Sequence, residues 1–306
     1  MYFHPSPVLA RHYRLRGFLR LEGLSQALAA EDVRAGWEVT LKLHINARDE
    51  HPERYPQTVE EPRTTTPFAD SIAYLVQEAR VLGLLRGDHV ASLVERLDDP
   101  QLGVVLVVQR RPGITLHERL RHGARPSFAE VQIWMAEVWQ AVGELHAAGV
   151  VHGGIGPASF VVESRPDGRE RVSLVDAGHG RIMAQPDAVG PSNPLAYRDV
   201  EQARLAFGWP APGPLDPRVD VYAAARLAAD LLGYDQLVTL DALPLGTAQP
   251  LQQRLAELAW RGREHIRNAL GPAVEAWFTR ALSLDPLQQF PGAAEALAGW
   301  RALSRG

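Results

Sequence analysis

The first part of the chain alternates apolar and polar positions in short stretches. YRLRGFLRL, SQALAAE and WEVTLKLHI follow one another from Tyr13, and Gly23 and Ala35-Gly36 separate them. A period of two broken by glycine predicts antiparallel strands joined by tight turns. HVASLVERLDD and LGVVLVVQR predict two more strands. The intervening ADSIAYLVQEARVLGLLRG has its apolar residues at helical spacing, which predicts one amphipathic helix.

The second part of the chain is dominated by helical spacing. SFAEVQIWMAEVWQAVGELHAAG predicts a long helix, with Ser127 as N-cap and Glu130 three residues later in a capping-box pattern. RVSLVDAGHG predicts a short strand that runs into a loop, and alanine- and leucine-rich helical segments follow from Asp216 onwards. The sequence therefore predicts the α+β class, with a boundary near Arg111–Gly113.

Composition narrows the function classes. The chain has 306 residues, a net charge of −4 and no cysteine, so no basic surface for nucleic acid, disulfide or thiol nucleophile is expected. No apolar run approaches the roughly 20 residues of a membrane span, and the N-terminus lacks the order of a signal peptide. We expect a cytoplasmic protein. Residues 46–68 are polar and rich in proline and threonine, which is typical of a functional loop.

Several short motifs occur in a fixed order along the chain. They are VTLK, QEARVLGLL, LVVQRRPGITL, LHAAGVVHGGIGPASFVV, LVDAG and RVDVYAAARLAADLL. Each is weak alone, but as an ordered set they resemble protein kinases, most closely bacterial serine/threonine kinases. The resemblance implies a bilobal fold that forms one kinase-like domain. Its parts are an antiparallel β-rich N-lobe with one main helix (1–111, with an extension at 1–12) and a mostly α-helical C-lobe (112–306).

The resemblance also assigns candidate site residues. It implies that Lys42 binds the phosphates of ATP, that Glu78 holds this lysine, and that Asp176 binds Mg²⁺. Val108 corresponds to the gatekeeper and Gln109 to the first hinge residue beside the nucleotide base. ATP and Mg²⁺ are thus the cofactors that the resemblance implies.

The catalytic loop departs from the kinase pattern. Laid on HRDLKPENI, the stretch HGGIGPASF places Gly154 at the catalytic aspartate, Gly153 at the preceding arginine and Gly156 at the lysine. Ser159 replaces the metal-binding asparagine, which leaves it as a weak metal ligand. Glycine has no group that can take a proton, and losing a positioned base typically costs about 10²–10⁴-fold in rate.

The glycine-rich loop is altered as well. RLEGLSQA laid on G-x-G-x-x-G-x-V places Arg20, Glu22 and Ser25 at the three glycines, and Gly23 between them. Gly23 is therefore the candidate for close backbone approach to phosphate. Arg20 and Glu22 add side chains there, and Glu22 adds a negative charge, so ATP binding is expected to be weak.

These departures predict an inactive protein kinase: a signalling pseudokinase that acts as a scaffold or allosteric regulator of a protein partner, not as an enzyme. Two alternatives stay open. One is an atypical transferase that moves a nucleotidyl group in the same cleft. The other is a structural interaction module whose cleft is filled by Arg20, Glu22 and the loop at 46–68. Lys42 and Glu78 could instead form a structural ion pair, and Asp176 could instead cap a turn.

Overall fold

A six-stranded antiparallel sheet forms the first part of the protein. The computed structural model describes residues 8–9, 12–22, 24–44, 68–100, 102–122, 125–178, 180–183, 216–233, 264–283, 285 and 287–303. The strand order in the sheet is β1-β2-β3-β4-β6-β5. The strands are β1 (Val8–Leu9), β2 (Tyr13–Glu22), β3 (Ser25–Asp32), β4 (Trp37–His44), β5 (Leu93–Asp99) and β6 (Gly103–Gln109).

The strands predicted from the alternating pattern are confirmed. Strands β3 and β4 pair without interruption from Ser25↔His44 to Asp32↔Trp37. Strand β2 pairs with β3 through two register shifts, between Leu15 and Gly17 and between Phe18 and Arg20. One face of the sheet buries an apolar cluster of its own, which includes Tyr13, Leu28, Leu41, Val105 and Val107.

The predicted amphipathic helix is also confirmed, as α1 (Phe68–Leu84). It packs against β4 and β6, and its own Leu75, Val81 and Leu82 are buried. This packing brings the middle of α1 next to the middle of β4. The position of Glu78 relative to Lys42 follows from it.

The remaining part is mostly helical with small sheets. Ser127 and Glu130 form the predicted capping box at the start of the longest of the described helices. The helices are α2 (Leu116–His122), α3 (Phe128–Ala147), α4 (Arg218–Leu231), α5 (Pro272–Ala281) and α6 (Ala293–Ala302), and residues 264–270 are also helical. The strands are β7 (Ile114–Thr115), β8 (Val150–Val151), β9 (Phe160–Ser164), β10 (Glu170–Leu174) and β11 (Arg181–Ile182), in sheets β10-β9-β7 and β11-β8.

Aromatic side chains join α3, α5 and α6 into one core. Trp277 lies edge-on to Trp139, Phe278 and Trp300, with ring centroids 5.8, 5.1 and 4.7 Å apart. The tryptophans on these helices thus have a packing role.

The architecture is a mixed α+β fold, as predicted. The loop at 46–67, most of the extension at 1–12, and Gly23 lie outside the described residues. Within the part of the chain that is described, no helix combines the length and apolar character needed to cross a bilayer.

Candidate functional site

Lys42 is the centre of a buried polar cluster. It lies on β4, and its side chain is fully buried. Nζ donates to the carbonyl oxygen of Val175 at 2.7 Å and lies 2.6 Å from Glu22 Oε2. It also forms an ion pair and hydrogen bond with Glu78 Oε1. Strand β4, helix α1, the end of β2 and the segment after β10 therefore meet at one amine.

The cluster holds more acidic than basic groups. Carboxylate oxygens of Glu22, Glu78 and Asp176 lie within 4.8 Å of one another. The cations in contact with them are Lys42 and Arg20, which forms an ion pair with Glu22 Oε1. Burial raises the pKa of Glu78 to about 7. Burial opposes the charge of Lys42, but Glu22 and Glu78 outweigh it and raise the lysine pKa above its usual value.

Asp176 is tied to helix α1. Its Oδ1 accepts from the hydroxyl of Tyr74 at 2.7 Å and from the amide of Gly178 at 3.1 Å. The amide of Ala177 donates to Glu78 Oε1 at 3.1 Å. A Cβ at Gly178 would lie 2.0 Å from the Tyr74 ring, so a larger residue there would displace the ring from its present position. Burial raises the pKa of Tyr74 well above its usual value, which keeps the phenol protonated as a donor.

Asp220 on α4 holds the loop that the resemblance to kinases assigns as the catalytic loop. Its Oδ2 accepts from the amide of His152 at 2.7 Å, and its Oδ1 accepts from the amide of Gly153 at 2.7 Å. His146 Nε2 lies 3.0 Å from Oδ2. Gly153 has φ +65°, a left-handed conformation that favours glycine. The backbone conformation thus favours glycine at position 153, where the kinase pattern has arginine.

His152 links this loop to Asp176. Its Nδ1 accepts from the amide of Gly154 at 3.0 Å, and its Nε2 lies 2.7 Å from the carbonyl oxygen of Asp176. This pattern fits the neutral tautomer with the proton on Nε2. Ser159 Oγ donates to the carbonyl of Gly154 at 3.4 Å and accepts from the amide of Gly156 at 3.3 Å. The Ser159 hydroxyl therefore supports the loop backbone.

The predicted gatekeeper, Val108, and the predicted first hinge residue, Gln109, lie on β6, which pairs with the strand of Lys42. Val108 is buried and pairs with Thr40 of β4. Gln109 ends β6, and its amide donates to the carbonyl of Ser92 at 2.8 Å. Lys42, Glu78 and Asp176 are thus brought into one cluster with this strand beside them, while Gly23 lies outside the described residues.

One member of the cluster, Tyr74, was not a candidate. Glu22 was expected to disfavour phosphate and, in the alternative of a filled cleft, to occupy the site with Arg20 and the loop at 46–68; the structure pairs Glu22 with Arg20 and Lys42. One unused signal was available in the sequence: Lys42 is the only lysine among the 32 lysine and arginine residues. Arginine serves the chain everywhere else, so this position requires a compact ammonium group that can reach several acceptors at once.

Comparison with known proteins finds distant relatives that are named as kinases. Serine/threonine-protein kinase pkn3 of Myxococcus xanthus is 25% identical over 235 residues, which is 74% of this chain and 41% of pkn3. Probable serine/threonine-protein kinase CE0033 of Corynebacterium efficiens is 24% identical over an alignment of 312 residues, 97% of this chain and 42% of that protein. The similarity is to protein kinases. The α+β architecture is consistent with a kinase-like fold.

A third relative is also named as a kinase, and the similarity to all three covers only part of their length. Mitogen-activated protein kinase hog1 of Aspergillus terreus is 25% identical over 169 residues, 55% of this chain and 42% of hog1. No protein-family model matches the chain. The chain spans about two fifths of the length of the first two relatives. These proteins support a protein-kinase-like relationship.

The relatives correct one expectation. The sequence analysis predicted that the protein is not an enzyme, and this is wrong: several similar proteins are named serine/threonine kinases and point towards a kinase enzyme. The physical reason lies in what the glycine at position 154 changes. A missing base slows proton transfer by about 10²–10⁴-fold, whereas positioning and charge neutralisation, the larger part of phosphoryl transfer, depend on other groups.

Proposed function

We propose that this chain is a kinase-like transferase that binds ATP with Mg²⁺ at the cluster of Lys42, Glu78 and Asp176. Lys42 binds phosphate oxygens, and Glu78 holds the amine in place. Asp176 holds Mg²⁺, which neutralises charge on the phosphates. The observation that carries the proposal is the buried Lys42 amine, paired with Glu78 and close to Asp176, in a chain that uses arginine at every other basic position.

The donor set of the cluster fits a hard divalent cation. The carboxylates of Glu78 and Asp176, which have oxygens within 4.8 Å of each other, supply oxygen ligands of the kind that Mg²⁺ prefers. Among the described residues, Glu78 Oε2 is buried without a hydrogen-bond partner, so the cluster has ligand capacity to spare. The cluster also holds more acidic than basic groups, and this excess of negative charge attracts a cation.

Gly154 defines the rate and the reaction type to expect. With glycine at the catalytic-aspartate position, the acceptor is not activated by a carboxylate from this loop. Transfer is therefore expected to be slow, with the proton lost to water or to the phosphate itself. The acceptor that this arrangement disfavours most is an ordinary hydroxyl, because no carboxylate from the loop is available to take its proton.

Radiolabelled ATP tests the proposal. The purified chain is incubated with Mg²⁺, a mixed-protein acceptor, and ATP labelled at either the γ- or the α-phosphate. Label from γ-ATP that is lost in Asp176→Asn supports phosphoryl transfer, and label from α-ATP supports nucleotidyl transfer. Asp98→Asn is the matched control because the Asp98 side chain is 74% exposed on the sheet. Absence of label from both forms would overturn the proposal.

A second candidate function is regulation of a protein partner through nucleotide-dependent conformation, as in pseudokinases. The observation that favours it is the catalytic loop, which Asp220 holds in place although position 154 has no side chain. Hydrogen exchange with and without a non-hydrolysable ATP analogue tests it. Altered protection at α4 or around His152 would support regulation, and unchanged exchange at saturating analogue would oppose it.

A further inference from the structure

We propose that Arg20 and Lys42 form a polyphosphate-binding site and that the Glu22 carboxylate occupies it in this structure. Glu22 is then an internal anion that the phosphates displace. This inference rests on the proposed function and deepens it, because it states how the site admits its ligand and adds Arg20 to the residues that bind phosphate.

The geometry of Glu22 is that of a bound anion. The residue is only 2% exposed, with Oε2 2.6 Å from Lys42 Nζ and Oε1 paired with Arg20 Nη2. One carboxylate thus bridges an ammonium and a guanidinium. Phosphate groups bind the same two cation types through the same charge-assisted hydrogen bonds.

The site has unused donors. Among the described residues, the Nε atoms of Arg20 and Arg110 are buried and lack an acceptor. Burial, and then the positive charge of Arg20, lower the pKa of Arg110. Repulsion between two cations is relieved by an anion larger than one carboxylate, and a polyphosphate chain has the oxygens to serve both.

Glu22 can leave without breaking the sheet. It is the last residue of β2 and pairs with Ser25 across the connection 23–24. Ser25 Oγ donates to the Glu22 carbonyl oxygen at 2.9 Å, so this backbone contact does not depend on the Glu22 carboxylate. Once phosphate displaces the carboxylate, the cluster has two carboxylates, Glu78 and Asp176, and two cations, Lys42 and Arg20, so the excess negative charge that repels a polyanion is gone.

The test compares Glu22→Gln with Glu31→Gln. Glu31 also pairs with two arginines, Arg14 and Arg16, but lies on β3 away from the cluster, so it controls for loss of a Glu–Arg pair. Binding of tripolyphosphate and of ATP is measured by isothermal titration calorimetry. Glu22→Gln keeps the shape but removes the competing charge, and should tighten both ligands about tenfold or more, the effect of one charge-assisted bond. Glu31→Gln should change neither.

Arg20→Gln provides the second arm and does not depend on the folding of Glu22→Gln. Arg20→Gln should weaken the binding of tripolyphosphate. In the double variant Glu22→Gln/Arg20→Gln, the gain in affinity seen for Glu22→Gln alone should disappear. Equal affinity of wild type and Glu22→Gln, or no effect of Arg20→Gln, would overturn the inference. The two proposals fail separately. If wild type and Glu22→Gln bind ATP with equal affinity and both transfer label from it, only the proposed role of Glu22 is overturned. If Glu22→Gln binds tripolyphosphate more tightly but neither protein transfers label, only the proposed transferase activity is overturned.

Discussion

The Lys42 cluster and the catalytic loop are built in opposite ways. In the cluster, charged side chains make the contacts: Lys42 meets Glu22 and Glu78 directly, and all three are buried. In the loop, the groups in contact are backbone amides and carbonyls, arranged by Asp220 and His152 from either side. The cluster is held by contacts between charged side chains, and the loop is held by hydrogen bonds of its backbone.

This difference shows that geometry and chemistry can be specified separately. Backbone groups need only an acceptor or donor in the right place, and glycine supplies them with minimal bulk. In the cluster, two buried carboxylates share one lysine, and a buried charge without its partner is costly. Loss of Lys42 should therefore have a larger effect than loss of the charge that holds the loop.

Removing the lysine should have the largest effect. Lys42→Met keeps the length of the side chain but leaves Glu22 and Glu78 without their shared cation. Breaking a buried ion pair in this way is expected to cost about 3–5 kcal/mol in the free energy of unfolding, measured by urea denaturation.

Arg34→Met is the matched control for the lysine variant. Arg34 also bridges two acidic residues, Asp32 and Glu95, but its side chain is 50% exposed. Its loss should cost no more than about 1 kcal/mol. If the two variants cost the same, burial does not determine the strength of the cluster.

The loop should respond to Asp220→Asn. An amide has one acceptor oxygen and no charge, so at least one of the amides of His152 and Gly153 loses its charged acceptor. We expect a cost of about 2 kcal/mol in unfolding free energy and faster hydrogen exchange at these two amides. Unchanged exchange would show that the loop does not depend on Asp220.

Much of this fold could be predicted from the sequence because its signals are local. The alternation in β3 and β4, the helical spacing of α1 and the capping box of Ser127 and Glu130 each depend on neighbouring residues alone. The ordered motifs predicted Lys42, Glu78 and Asp176 as site residues, and the fold places them in one cluster.

The ion pairs of Glu22 could not be predicted from the strand pattern. Two register shifts lie between Tyr13 and Glu22, and because each reverses the face of the strand, they cancel and leave Glu22 on the face opposite Tyr13, as plain alternation gives. What alternation does not show is that the carboxylate reaches Lys42, which lies two strands away. Tyr74 was missed because it is outside the apolar stripe of α1 and contacts Asp176 and Gly178, which are about a hundred residues away in the sequence.

The pH dependence of stability should differ from that of a simple ion pair. The folded-state pKa of Glu78 is raised to about 7 by burial, so the folded state holds a proton that the unfolded state has released. Its stabilising contribution is complete below the ordinary pKa of 4.5 and is lost as pH rises through 7.

Glu78→Gln removes that titration. The stability of wild type relative to Glu78→Gln should fall between pH 5 and 7.5, with a slope of at most about 1.4 kcal/mol per pH unit. Urea denaturation of both proteins across this range measures the slope. A difference that grows with pH would mean that Glu78 is ionised throughout, as in an isolated Lys–Glu pair.

The smallest effect is expected from the phenol on Asp176. Tyr74→Phe removes one hydrogen bond of 2.7 Å but keeps the ring against Gly178, and Oδ1 retains the Gly178 amide. The expected cost is about 1 kcal/mol in unfolding free energy. Tyr13→Phe is the control, since Tyr13 donates to Glu95 at the same distance but the Glu95 side chain is 39% exposed. The Tyr13 hydroxyl also accepts from Arg34 Nη2 at 3.1 Å, and that side chain is 50% exposed. Water can replace that phenol, so Tyr13→Phe should cost less, and an equal or larger cost would show that burial of the acceptor does not decide the strength of these bonds.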